Sequence, residues 1–409
     1  MSPSGEAKNV GALIGTPGLK LLCTMGTEAL GCRGMFVTAR DRLLVVTGNK
    51  LYDINTNDYS SITLGTLSTY TGKVSFAETD IQASPTNLAS SQVMLVDGQY
   101  GYVLNTGTNV FTQVTGDYLP GTSIVAQNGF FIQNLNDSNK FIFSNYLTGL
   151  TWEASLNFYA AESSPDPILK ISLLNNQLWL FGSKTVEIWN FVGDSANDQM
   201  WVRSGIGYQN FGIINGYCST IINGHIFWIG SGPDGQNIVW HSGPSYAPER
   251  VSTHAIEYII TKMGKIDDCV ALSYQSEGHQ FVIFNFPSGN RTLCYDLTTG
   301  LWHERGDLEV SHGINNRHRA MFCVNWGNRI IVGDNENNNL YEWSLDQYTD
   351  NGKLIKRVRT CPHIHNERHR IFFHQLEIDL EKGVGMFEPP TTPEDPTTPS
   401  PTTPAPEPD

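Results

Sequence analysis

A short apolar run, a polar turn and a second strand-like run recur along this 409-residue chain at a spacing near fifty. The runs are Leu43-Leu44-Val45-Val46, Val93-Met94-Leu95-Val96, Phe130-Phe131-Ile132, Leu178-Trp179-Leu180-Phe181, Ile226-Phe227-Trp228-Ile229, Phe281-Val282-Ile283-Phe284 and Ile330-Ile331-Val332. Taking Val46, Val96, Ile132, Leu180, Ile229, Ile283 and Val332 as markers, the intervals are 50, 36, 48, 49, 54 and 49 residues. A four-stranded propeller blade has about this length, roughly 40 to 50 residues. The repeat predicts an all-β chain folded as a β-propeller of six or seven blades.

The turns repeat with the strands. Thr106-Gly107, Thr148-Gly149 and Thr299-Gly300 are each followed by an aromatic, Phe111, Trp152 and Trp302. Glycine supplies the positive φ of a tight hairpin, and the aromatic can pack down between neighbouring sheets. Gly48-Asn49, Asp97-Gly98 and Asn335-Glu336-Asn337-Asn338 carry the same turn chemistry after other strands. A pair of β-sandwich domains also yields turn-punctuated strands, at shorter spacing. Helix is expected at one place, Thr253 to Lys262, where Ser252-Thr253 and Glu257 loosely form a cap.

Composition agrees. Charged residues are 16% of the chain, against the usual quarter, and there are 39 glycines, so long charged helices are excluded. The net charge of −14 argues against a general duplex-binding domain, which would carry an overall basic footprint. No apolar stretch reaches the length of a membrane span, and Met1 to Val10 lacks the features of a signal peptide. Synthesis in the cytoplasm and no membrane association are therefore expected. The seven cysteines are scattered without a Cys-x-x-Cys pair, which predicts reduced, mostly buried thiols.

From Phe387 the composition changes. Nine of the 20 prolines and six threonines fall in the last 23 residues, with Glu388, Glu394, Asp395, Glu407 and Asp409 and no base. Such a segment cannot bury a core and reads as a disordered tail or linker. The expected organisation is an N-terminal extension over 1–20, a propeller over 21–386 and a Pro/Thr-rich acidic tail over 387–409.

Few residues invite chemistry. Cys361, His363 and His365 would share one face of a strand and could hold a metal ion, although no second ligand pair accompanies them. Basic residues gather at Arg317 and Arg319, and again at Lys353, Lys356, Arg357, Arg359, Arg368 and Arg370. They are candidates for an interface or a channel wall, touching DNA phosphates or an acidic partner, beside the alternative of a solvated face. Asn145 to Trp152 ends like a sialidase Asp-box but has Leu147 where the Asp belongs. No nucleophile elbow, phosphate loop, zinc-protease or EF-hand spacing occurs, so no enzyme, cofactor or metal is predicted.

Several segments together resemble the packaged-DNA stabilisation proteins, also called tail hub or nozzle proteins, of short-tailed bacteriophages. They are Thr16-Pro17-Gly18-Leu19, Leu180 to Trp189, the glycine-rich Gly205 to Gly216, Ile226 to Gly230, Arg250 to Glu257 and, above all, Cys294-Tyr295-Asp296-Leu297-Thr298-Thr299-Gly300-Leu301-Trp302-His303-Glu304-Arg305. The resemblance runs from about Gly15 to about Glu381. It departs at the end, where family members continue with further β structure and this chain runs into the Pro/Thr segment, so closure of the last blade is left open. The resemblance implies a structural virion protein that caps the portal after packaging, stabilises the packaged DNA and forms part of the ejection channel. It further implies a ring of identical subunits, six in number, with the portal adaptor ring, tail needle and tail fibre or tailspike proteins as partners and transient, non-specific contact with genomic DNA. The competing reading is a receptor- or polysaccharide-binding tail propeller, with a depolymerase as one form of it, stacking exposed Trp and Tyr on sugars.

Overall fold

The seven apolar runs become the second strands of seven antiparallel blades in a computed structural model of the chain, six of them four-stranded sheets and the seventh part of a six-stranded sheet extended by Thr349–Asp350 and Lys353–Leu354. It describes residues 14–360 and 369–375, apart from 29, 81–90, 163, 195–198 and 310. Blade 1 is Cys32–Val37, Leu43–Thr47, Lys50–Ile54 and Ser61–Thr66, and the meander repeats in chain order. The innermost strands of blades 2 to 7 are Ser75–Asp80, Ile124–Gln127, Ile168–Leu174, Ser219–Ile222, Val270–Ser276 and Ala320–Trp326. The protein is therefore an all-β, seven-bladed propeller.

Burial explains why the second strands are continuous apolar runs rather than alternating ones. Every residue of Leu43–Thr47 and Ser91–Val96 is buried, because a blade is covered on both faces by its neighbours. Outer strands such as Ser61–Thr66 are half-exposed and lack the signal. Hairpins between first and second strands turn on residue pairs with positive φ, such as Asn128-Gly129 (50° and 87°) and Asn223-Gly224 (51° and 71°). This is the type I′ turn, whose twist matches the flanking strands and which favours Asn and Gly.

The aromatics after the Thr-Gly turns do pack between sheets. Phe111 stacks on Tyr102 at 5.3 Å within blade 2 and lies over Gly65 of blade 1, where a Cβ would come within 2.1 Å of the ring. Trp302 of blade 6 donates its indole N–H to Val251 O, beyond the last strand of blade 5, at 3.1 Å. One helix stands among the described residues, α1 (His254–Lys262), and it begins where the cap signal lies: Thr253 accepts the Ile256 N–H at 3.4 Å.

The chain's own beginning closes the last blade. Gly18–Thr24 pairs antiparallel with Asn339–Ser344, from Gly18 opposite Ser344 to Thr24 opposite Asn339, and supplies blade 7 with its fourth strand. The propeller's first strand thus starts at Gly18, inside the 1–20 segment read from the sequence as an extension. The hole in the ring is crossed at one end. Lys73 donates to Asp268 O and Tyr217 to Thr122 O, each at 3.1 Å, between blades that are not neighbours.

The chain divides after Arg357, and Val358–Asp409 forms a second unit. Its described residues contain no helix or strand, and the Pro/Thr segment lies outside them. Among the described residues, no helix is long and apolar enough to cross a membrane.

Candidate functional site

The basic cluster read from the sequence is divided by the fold. Arg319, just before the innermost strand of blade 7, is 6% exposed and reaches three carboxylates. Its Nε lies 2.9 Å from Asp334 Oδ2, and its Nη1 lies 3.2 Å from Glu336 and 3.4 Å from Asp307. Lys353 Nζ donates to the same Asp307 oxygen at 2.8 Å. Burial alone would lower the Arg319 pKa, but Asp334 beside it outweighs burial and raises it. Arg319 and Lys353 are thus held in a local ion network.

Asp334 ends the second strand of blade 7 with no exposure, and also accepts the Tyr341 O–H at 2.9 Å and the Glu336 N–H at 2.7 Å. Asp307 opens a small hairpin, Asp307–Glu309 and Ile314–Asn316, inserted between blades 6 and 7. Arg317 is half-buried, and burial lowers its pKa against the opposing pull of Glu336 and Asp268.

Together with Asn290, Asn316 and Asn335, these groups line a cleft of about 370 Å³. Arg317 Nη1, Asp307 Oδ1 and Asn335 Oδ1 are buried without a protein partner among the described residues. The lining carries charged groups of both signs and offers polar docking of either sign. Behind it, His318 Nε2 faces Asp350 Oδ2 at 3.7 Å, both buried. Burial pushes the Asp350 pKa up to about 7, aided by Asp307, and burial pushes that of His318 down to about 3.

Lys356, Arg357 and Arg359 are exposed beyond this seam, with no ion pair among the described residues. Arg370 is exposed in the second unit, 6.0 Å from the Phe372 ring. Arg368 lies outside the described residues, as do Cys361, His363 and His365 of the metal reading, while His369 and His374 are exposed. Among the described residues, no three His, Cys, Asp or Glu side chains gather to hold a metal ion. The six described cysteines are free thiols, four of them buried.

A second cleft, of about 330 Å³, lies between blades 5 and 6 and is lined by His225, His241, Phe227, Gln280 and Tyr295. His241 pairs with Glu249 at 3.2 Å, and its pKa is lowered by burial. Sequence reading missed Asp350 and Asp307, whose partners at the seam are distant in the chain. The signal available for Asp350 was the need of any ring fold to join its ends.

The ring of seven blades, sealed by the pairing of Gly18–Thr24 with Asn339–Ser344, defines the class as a β-propeller. The chain belongs to the family described as bacteriophage P22 Gp10, β-propeller, which it matches over residues 3–349. It is 22% identical over 232 residues to the tail hub protein gp10 of Salmonella phage P22, covering 56% of this chain and 48% of that protein. The chain thus spans about half the length of this relative. Two solved structures share the fold at 10% identity: the extracellular domain of the one component system BT4673 from B. thetaiotaomicron, with a TM-score of 0.52, and that of the hybrid two component system BT4673, with 0.51. Each comparison covers 79% of this chain and 39% of the other.

Proposed function

We propose that this chain is a structural protein of a short phage tail, a hub subunit that closes the portal and its adaptor ring once the genome is packaged. In this reading it holds the packaged DNA in place and forms part of the path by which DNA leaves. The observation that carries it is the family match over residues 3–349, on a ring that is built and sealed within that span.

Copies assemble as a ring, six in number, on the adaptor, with the tail needle and tail fibre or tailspike proteins as further partners. The exposed cations Lys356, Arg357, Arg359 and Arg370, with Arg368 nearby in sequence, supply contacts to acidic partner surfaces; Arg317, Arg319 and Lys353 shape the docking cleft at blade 7. Because side chains cross the propeller's own hole, DNA runs between subunits rather than through a blade ring. The net charge of −14 suits a wall that DNA slides past, since each phosphate neutralised by a cation would add affinity and drag.

The sugar-binding alternative leans on exposed Trp and Tyr: all nine tryptophans are buried or half-buried, whereas Tyr70, Tyr100, Tyr146 and Tyr258 are exposed. The direct test is to label this chain in mature virions and find it by electron microscopy. A ring of label at the portal vertex supports the proposal, whereas label confined to distal fibre tips overturns it.

A further inference from the structure

Tyr217 stands where the ring's central hole is closed. It precedes the innermost strand of blade 5, and its hydroxyl donates to Thr122 O, which precedes that of blade 3, at 3.1 Å. Two ammonium groups share its ring: Lys73, before blade 2, lies 4.9 Å from the centroid, and Lys170, in the innermost strand of blade 4, lies 5.9 Å away. Lys73 donates to the Asp268 backbone oxygen, while Lys170 Nζ has no hydrogen-bond acceptor or ion pair among the described residues.

Of the cations nearby, Lys170 has no carboxylate acting on it. Arg33 bears on Tyr217 from blade 1, and its N–H groups are taken by neutral acceptors: Gly48 O, Thr69 O and Oγ1, Thr71 O and Gly72 O, at 2.6 to 2.8 Å. Asp268 and Asp267 act on Lys73, and Asp97 acts on Arg33 and Tyr217, although each carboxylate also has other partners. Asp268 Oδ2 accepts both the N–H and the hydroxyl of Ser288, at 2.8 and 2.7 Å, and Asp268 also bears on Arg317. Its Oδ1 is buried without a partner among the described residues. Asp97 accepts from Gln99, Tyr100 and Thr69, and Asp267 is exposed beside Lys265. Cys218 and Cys269 are the other titratable groups packed here, and burial raises the pKa of both, so they stay neutral thiols.

Lys170 is half-buried, and a cation without a protein partner at such a site attracts an anion more strongly than one in open water. Burial lowers the Lys170 pKa only to about 8, which leaves the ammonium mostly charged at neutral pH. We propose that the closed end of the axial hole is an anion site, in which Lys73 and Lys170 beside Tyr217 take one tetrahedral oxyanion, either free phosphate or the terminal phosphate of a nucleic acid. Lysine suits a compact phosphate as a point charge, and both ammonium groups lie within 6 Å of the Tyr217 ring.

The inference rests on the axial residues alone and stands or falls independently of the tail-hub reading. The full-length chain is titrated with sodium phosphate by calorimetry in a chloride buffer of matched ionic strength. Saturable uptake of one phosphate per chain is expected, weakened roughly tenfold or more in Lys170→Gln, the worth of a charge-assisted hydrogen bond. Lys170→Arg is expected to retain uptake. The same titration with a short duplex bearing 5′-phosphate or 5′-hydroxyl ends separates the sources. Preference for the phosphorylated end assigns the site to DNA ends, and no preference assigns it to the free anion. Absence of phosphate uptake by the unmodified chain at millimolar concentration, or equal uptake by a folded Lys170→Gln variant, overturns the proposal.

Discussion

Leu19 donates its backbone N–H to the Asp350 carboxylate at 3.1 Å, across 331 residues of sequence. Asp350 is thereby the acceptor that pins the first strand of the propeller beside the last, with His318 on its other oxygen. A ring whose closing strand comes from the opposite end of the chain forms only when both ends meet, so this contact sits at the most non-local point of the fold.

Asp350 makes stability depend on pH in an unusual direction. Its carboxyl is raised from 3.8 to about 7, so between these values the folded chain holds a proton that the unfolded chain has released. Its contribution to stability is therefore full below about pH 4 and is lost as pH rises through about 7. His318, depressed to about 3, acts oppositely and loses stability as pH falls below 6.5. Asp350→Asn removes only the first effect. Relative to the native chain, the variant should gain about 1–3 kcal/mol between pH 5 and pH 8 in urea unfolding. A difference that stays flat with pH would refute the assignment.

Asp334 carries the charge that neutralises buried Arg319. Asp334→Ala should cost about 3–5 kcal/mol, because a buried guanidinium loses its closest partner. Replacing both residues, as Arg319→Met with Asp334→Leu, should recover part of that loss. Denaturant midpoints of the two variants decide it: a single variant as stable as the native chain would show that the pair is dispensable.

Gly65 and Phe111 should be coupled. A methyl group at Gly65 would stand 2.1 Å from the Phe111 ring, so Gly65→Ala should destabilise by about 1–3 kcal/mol. In a Phe111→Leu background the same change should cost clearly less, giving a non-additive cycle. Additive costs would mean that the aromatic does not seat on the glycine.

If the exposed cations after the seam serve assembly, Arg357→Glu with Arg359→Glu should block incorporation into particles while leaving the monomer folded. Circular dichroism and immunoblots of purified virions provide the two readouts. Normal incorporation would remove these residues from the interface.

The second strands were legible because burial on both faces forces an unbroken apolar run, and Val46, Val96, Ile132, Leu180, Ile229, Ile283 and Val332 all fall on them. The Asn-Gly turns at Asn128-Gly129 and Asn223-Gly224 were an available signal left unused. Outer strands such as Glu249–Arg250 are short and exposed and carry no pattern. Closure by Gly18–Thr24 was invisible, since pairing with Asn339–Ser344 leaves no local trace. The same holds for the basic cluster. Its spacing in sequence could not show that Asp307 and Asp334 engage Arg319, or that Lys73 and Lys170, remote from it, meet at Tyr217.

The central claim is tested most directly by blocking expression of this protein during infection and counting filled and empty heads by electron microscopy. The account predicts heads that package their genome and then empty, because nothing closes the portal. Heads that stay filled and lack only infectivity would contradict it and move the protein to the distal, receptor-binding part of the tail.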